Sequence, residues 1–253
     1  VLTTEDKIKC VGIYHYPGHN FTTKCLGVHG NADLNYAMAK SCNVYFSEAG
    51  RRLGIENMNL YAKRFGLGVK TGIELTETTG ILAGPEYSRS IGSRWSNLVT
   101  IKAAIGQSDN QFSPLQLATY VATIANGGNR YRPHLIRKIT DYRRENIVME
   151  NNPDSPELVE TAGVSEEHLN MVKTAMRQVV LSGTATNFNG YMVPVAAKTG
   201  TAQNNGSDHT TFICFAPYEN PEIAIAVVVE HGAKGMVSKI VAKDIMDAYF
   251  SNK

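Results

Sequence analysis

No run of apolar residues in this chain approaches the roughly 18 that a membrane-crossing helix needs, so none of its segments reads as a transmembrane span. An excess of one charge is missing too. Lys and Arg number 25 against 23 Asp and Glu, a formal charge of +2. That balance removes the general electrostatic argument for nucleic acid or an anionic membrane surface as partner. The opening residues, Val1-Leu2-Thr3-Thr4-Glu5-Asp6-Lys7, are polar and do not form a signal peptide. If the parent protein is exported, its exporting segment lies outside this sequence. Internal repeats and low-complexity tracts are also lacking.

What is present is an ordinary globular balance: 253 residues, 43% hydrophobic and 19% charged. A chain of this length can bury roughly 70–75% of its unfolded surface, enough for a sizeable core. Cysteine is sparse, with Cys10, Cys25, Cys42 and Cys214. Cys10 and Cys25 flank a stretch rich in Gly, Pro and His, which leaves three readings open. They are free thiols, a disulfide across a small hairpin, or part of a metal site with His15, His19 or His29. Cys42 reads most simply as a small buried hydrophobe. His134, His168, His209 and His231 show no metal-ligand spacing.

Residues 1–30 read as irregular, with extended pieces near 7–14 and 20–25. Apolar spacing predicts helices over 31–40, 44–53 and 57–65, a compact helical group. Gly72 to Leu75 suggests a short strand, and residues 76–100 a long loop. Ser113-Pro114 opens a helix that Asn126-Gly127-Gly128 stops. Pro133 to Ile139 reads as a strand and Arg143 to Asn146 as a turn. Ser165 caps a helix whose stripe is Leu169, Val172, Ala175, Met176 and Val179. The period then changes to that of strands over 194–202, 210–216 and 223–230. Short turns between them require antiparallel neighbours. A last helix over 237–250 is expected to turn Ile240, Val241, Ile245 and Ala248 inward.

Two short motifs carry chemistry. Lys198-Thr199-Gly200-Thr201 lies on the first of the three strands, so Lys198 and Gly200 share one face and Thr199 and Thr201 the other. Glycine inside a strand marks close approach of a ligand or another backbone. Threonine hydroxyls and a lysine suit a carboxylate, and an edge strand can pair with an extended peptide. Ser41-Cys42-Asn43 interrupts two helices and can present a hydroxyl and an amide to a cleft, for proton transfer and for binding a carbonyl.

Together with His29-Gly30, Ala39-Lys40 before Ser41, Phe65-Gly66-Leu67-Gly68-Val69-Lys70-Thr71-Gly72, Ile105-Gly106-Gln107, Ser113-Pro114-Leu115-Gln116 and Ala125-Asn126-Gly127-Gly128, these motifs resemble the transpeptidase domain of class B penicillin-binding proteins. The resemblance runs from about Cys10 to Tyr249. It implies an α+β fold, an antiparallel sheet flanked by helices with a helical subdomain, incomplete at the N-terminus. It divides the chain into a mostly helical part, 31–130, and a sheet-and-helix part, 131–253. It implies catalytic roles for Ser41, Asn43 and Lys198, and substrate binding by Thr199, Gly200 and Thr201. The backbone amide of Thr201 would help form an oxyanion hole. No cofactor or metal is implied. The implied partners are peptidoglycan stem peptides, β-lactams and, through a longer parent, other cell-wall synthesis proteins. The implied location is the extracytoplasmic face of the bacterial membrane, with an anchor helix outside this chain.

One element of that pattern is absent. No Ser among the 253 residues has Lys three positions later, so the Ser-x-x-Lys that carries the nucleophile is not here. Thr4-Glu5-Asp6-Lys7 has the shape with Thr for Ser, but no helix around it. The expectation is a fragment that begins just after the nucleophile helix, is not acylated by penicillin alone, and exposes apolar surface through which it could self-associate. The competing reading is a non-catalytic β-lactam sensor or scaffold.

Overall fold

Four three-residue strands open the chain: β1 (Ile8–Cys10), β2 (Ile13–His15), β3 (Thr22–Lys24) and β4 (Gly30–Ala32). In this computed structural model, which describes residues 2–3, 5–232 and 235–251, β1 pairs with β4 and β2 with β3, all antiparallel. Thr4 of the Thr4-Glu5-Asp6-Lys7 stretch lies outside the described residues.

Helices α1 (Leu34–Lys40), α2 (Asn43–Leu53) and α3 (Ile55–Arg64) follow closely. Asp33 caps α1 by accepting the Tyr36 N–H, satisfying a donor that the first turn leaves unpaired. The expected long loop over 76–100 instead holds α4 (Pro85–Ser90) and the start of α5 (Asn97–Ala104). Gly50 of α2 faces Ala104 of α5 so closely that a Cβ would overlap the alanine methyl. Gly72 to Leu75 forms no strand. Glu77 accepts the N–H groups of Thr71 and Gly72 and the Thr71 hydroxyl, folding the segment back on itself.

Ser113 and Gln116 form a reciprocal capping box at the start of α6 (Pro114–Ala125). The buried Gln116 amide also donates to the Val69 and Thr79 carbonyls, pinning the preceding loop to this helix. Strands β5 (Asn129–Tyr131), β6 (Lys138–Thr140), β7 (Ile147–Glu150) and β8 (Leu158–Thr161) then pair as β5 with β8 and β6 with β7. The strand expected over 133–139 shrinks to β6.

The chain closes with α7 (Glu166–Ser182), β9 (Ala196–Ala202), β10 (His209–Ala216), β11 (Ile223–Val229) and α8 (Met236–Ser251). The three strands form one antiparallel sheet in the order β11-β10-β9, leaving β9 at an edge. Alternation along β10 sends Phe212 and Cys214 to one face, against Val179, Val180 and Met246. It sends Phe215 to the other, against Val121 and Ile124 of α6. Each such fully buried side chain contributes roughly 1.5–3 kcal/mol by leaving water. The inward face of α8 differs from expectation. Ser238, Ala242 and Met246 are buried, while Ile240, Val241, Ile245 and Ala248 are exposed. Among the described residues no helix is long and apolar enough to cross a membrane.

Candidate active-site cleft

Ser41 ends α1 in the left-handed conformation, φ 52° and ψ 52°, with its N–H bonded to the Ala37 and Met38 carbonyls. A non-glycine residue there costs about 1–2 kcal/mol. The turn breaks the run between α1 and α2. Lys198 Nζ meets it, donating to Ser41 Oγ at 2.6 Å and to the Thr199 carbonyl at 2.7 Å. Burial pulls the Lys198 pKa down to about 8, because a desolvated ammonium loses hydration that two hydrogen bonds only partly replace.

A second set of contacts fixes the neighbouring hydroxyl. Thr199 Oγ1 lies 2.7 Å from Thr184 Oγ1, in the loop after α7. That loop is tied from two sides, by Lys40 Nζ on the Ser182 carbonyl at 2.7 Å and Lys239 Nζ on the Thr184 carbonyl at 3.3 Å. Asn43 heads α2 and donates its amide to the Lys24 carbonyl at 3.0 Å, so it is anchored to β3 rather than to Lys198. The structure thus brings Ser41, Lys198 and Thr199 together and engages the Asn43 amide with the Lys24 carbonyl instead.

The outer edge of β9 is partly covered. Gln107 Nε2 donates to the Thr201 carbonyl at 3.0 Å, and Gln107 Oε1 accepts the Gln203 N–H at 3.4 Å. A strand residue directs its N–H and C=O to the same side, so the Thr201 N–H also faces this edge. Gly200 is explained from within the sheet: a Cβ there would overlap Thr211 Oγ1 on β10. Beside this edge, Gly200, Thr201 and Thr211 line one wall of a groove of about 1220 Å³ whose other walls include Ile55, Met58 and Leu117.

A family model for the penicillin-binding protein transpeptidase domain matches residues 1–247. The chain belongs to the penicillin-binding protein transpeptidase family. It is 34% identical over 256 residues to peptidoglycan D,D-transpeptidase MrdA of Acinetobacter baumannii, covering 93% of this chain and 37% of that protein. To penicillin-binding protein 2A of Bacillus subtilis it is 32% identical, covering 88% of this chain and 35% of the relative. The crystal structure of Pseudomonas aeruginosa PBP2 in complex with WCK 5153 superposes with a TM-score of 0.85 at 30% identity, over 98% of this chain and 54% of that one. The chain therefore spans little more than a third of the length of the curated relatives it matches.

Sequence reasoning left several residues of this transpeptidase domain unassigned. Thr184, just past the helix that Ser165 opens, carried no assignment. Gln107 stood in a quoted block without a role. Thr211 sat in a strand with no motif of its own. All four cysteines are free thiols in the structure, so the disulfide reading of Cys10 and Cys25 does not hold. Cys214 lies in the sheet core, where burial pushes its pKa up to about 12. Cys10, Cys25 and Cys42 instead converge on His29, with their ligating atoms all within 4.8 Å of one another. Among the described residues this is the one group of donors so placed, and His15 and His19 are not part of it.

Proposed function

We propose that this chain forms the Ser-x-Asn and Lys-Thr-Gly walls of a D,D-transpeptidase cleft, which binds peptidoglycan stem peptides and the β-lactams that imitate them. The observation that carries this reading is the 2.6 Å contact between Lys198 and Ser41, which lie 157 residues apart in the chain. A lysine with its pKa near 8 can pass a proton through a serine hydroxyl at neutral pH. The Thr199 hydroxyl, oriented by Thr184, suits a substrate carboxylate, with Thr201 as its neighbour on the same face. The outward Thr201 N–H suits an oxyanion that develops during acyl transfer. Asn43 supports the reading less directly, since its amide is held by Lys24.

Acyl transfer also needs an activated nucleophile, and these 253 residues contain no Ser-x-x-Lys. The groove between the sheet edge and α3, α5 and α6 has the apolar lining to seat a helix that carries one. The cleft would act at the extracytoplasmic side, where peptidoglycan is built. One structural neighbour, PBP2 of Helicobacter pylori, has been solved in a complex with MreC, which supports assembly with other cell-wall synthesis proteins.

The test is a fusion. The 253 residues are preceded by a helix that carries a Ser-x-x-Lys motif and incubated with fluorescent penicillin. Covalent labelling of the fusion, lost on Ser→Ala in that helix and absent from the 253 residues alone, supports the proposal. An unlabelled but folded fusion, or a stoichiometric adduct on the 253 residues alone, overturns it.

A further inference from the structure

We infer that Cys10, Cys25, His29 and Cys42 form a structural zinc site that ties the second catalytic-type motif to the N-terminal strands. The inference does not depend on the transpeptidase reading. The four donors come from four separate places: the end of β1, the residue after β3, the residue before β4, and the N-cap of α2. Cys10 Sγ and Cys25 Sγ lie 3.5 and 3.4 Å from His29 Nδ1. Cys25 Sγ and Cys42 Sγ lie 3.9 Å apart.

Those spacings are the ones a tetrahedral ion imposes. Zn–S bonds of about 2.3 Å and Zn–N bonds of about 2.0–2.1 Å place sulfurs about 3.8 Å apart and a sulfur about 3.6 Å from a ring nitrogen. A disulfide, by contrast, needs sulfurs about 2.05 Å apart. Three thiols also cannot pair completely. Softness points the same way. Three thiolates and an imidazole select zinc over magnesium or calcium, which take oxygen ligands. Four protein ligands leave no open position, the pattern of a structural rather than a catalytic zinc.

Binding displaces three thiol protons to solvent, while neutral His29 gives its Nδ1 lone pair and keeps its proton on Nε2. The resulting Zn(Cys)3(His) centre carries one net negative charge. The surroundings suit it. Backbone N–H groups of Asn43 and Val44, at the start of the eleven-residue α2, and of Gly27 point at Cys25 Sγ. A helix N-terminus stabilises negative charge there. Cys10 and Cys42 are fully buried, which shields the thiolates from solvent.

The consequence reaches the cleft because Cys42 stands between Ser41 and Asn43. Metal at Cys42 fixes the chain on both sides of it. It holds the strained Ser41 turn against β1 and β4, which pair with each other through a single three-residue ladder.

The experiment uses the 253-residue chain purified with reductant. Its metal content is measured by mass spectrometry, and the demetallated protein is titrated with Co²⁺. The expected results are one zinc per chain, and a cobalt spectrum with tetrahedral d–d bands and thiolate charge-transfer absorption that saturates at one equivalent. Chelation should lower the melting temperature and speed amide exchange at 41–46. Zinc in the Cys10→Ser and His29→Ala variants should fall well below one per chain. Where those variants fail to fold, the wild-type cobalt titration alone decides. A cobalt spectrum without thiolate charge transfer, or octahedral weak bands, overturns the site. So does a protein that stays metal-free in excess zinc.

Discussion

Lys198 Nζ and Ser41 Oγ form the closest link between the strand and the helical parts of the cleft, at 2.6 Å. The lysine pKa of about 8 is set by burial, and that couples protonation to stability. Its folded value lies below the ordinary 10.5, so folding expels a proton between the two. The cost of burying the charge is present in full below pH 8. It is relieved as pH rises from 8 toward 10.5, where the unfolded chain still binds the proton. Wild type should therefore gain stability relative to Lys198→Met across that window, by on the order of 3 kcal/mol if the whole shift is realised. Paired urea denaturations at pH 7 and pH 10 check this, since the cysteines titrate in both proteins and cancel. A flat difference would count against a desolvated ammonium.

Ser41 adopts φ 52°, a conformation that only glycine takes without cost. Ser41→Ala removes the hydroxyl and keeps the strain, whereas Ser41→Gly removes both. The glycine variant should be more stable than the alanine variant by about 1 kcal/mol. Both should lose whatever proton relay the hydroxyl supplies. Equal stability of the two would mean that the turn relaxes when the Lys198 contact is gone.

The parts of this architecture that could be read from the chain are those where local chemistry and tertiary packing agree. Ser113-Pro114 begins a helix because serine caps, proline suits the first turn and Gln116 completes the box. The three strands of the sheet declare themselves by period and turns. The failures have physical causes. Helix α5, Asn-Leu-Val-Thr-Ile-Lys-Ala-Ala, is apolar nearly all round and rich in β-branched residues, so it has neither stripe nor helical propensity to show. In α8 the period was right and the phase wrong. The sheet accepts small Ser238 and Ala242 for close approach and leaves the bulkier Ile240 and Ile245 outside. The site motifs were legible as words, but their supports Thr184, Gln107 and Thr211 are fixed only by three-dimensional neighbours. So is the thiol cluster, whose fourth member, Cys42, is 17 residues from Cys25 in a spacing no metal motif uses.

Gly200 tests whether the motif glycine serves the sheet or a ligand. Its missing Cβ makes room for Thr211 Oγ1 on the adjacent strand. Gly200→Ala should destabilise by about 1–3 kcal/mol through overpacking. Adding Thr211→Ala removes the overlapping hydroxyl and should recover most of that loss, giving a favourable coupling in a double-mutant cycle. If the two losses simply add, the glycine is required for something outside the sheet.

Gln107 holds the edge of β9 by imitating a neighbouring strand: its amide donates to the Thr201 carbonyl and accepts the Gln203 N–H. An unpaired edge is a template for adding an extended peptide. The glutamine therefore occupies the distal end of that template and leaves Thr199 and Thr201 N–H groups for an incoming chain. Gln107→Ala should expose the Gln203 amide to water and speed its hydrogen exchange severalfold. Thr211, registered opposite Gly200 inside the sheet, should keep its rate. Uniform acceleration across β9 and β10 would show that the side chain supports the sheet as a whole. Acceleration confined to Gln203 would place Gln107 as the stop that fixes how far along β9 a peptide can pair.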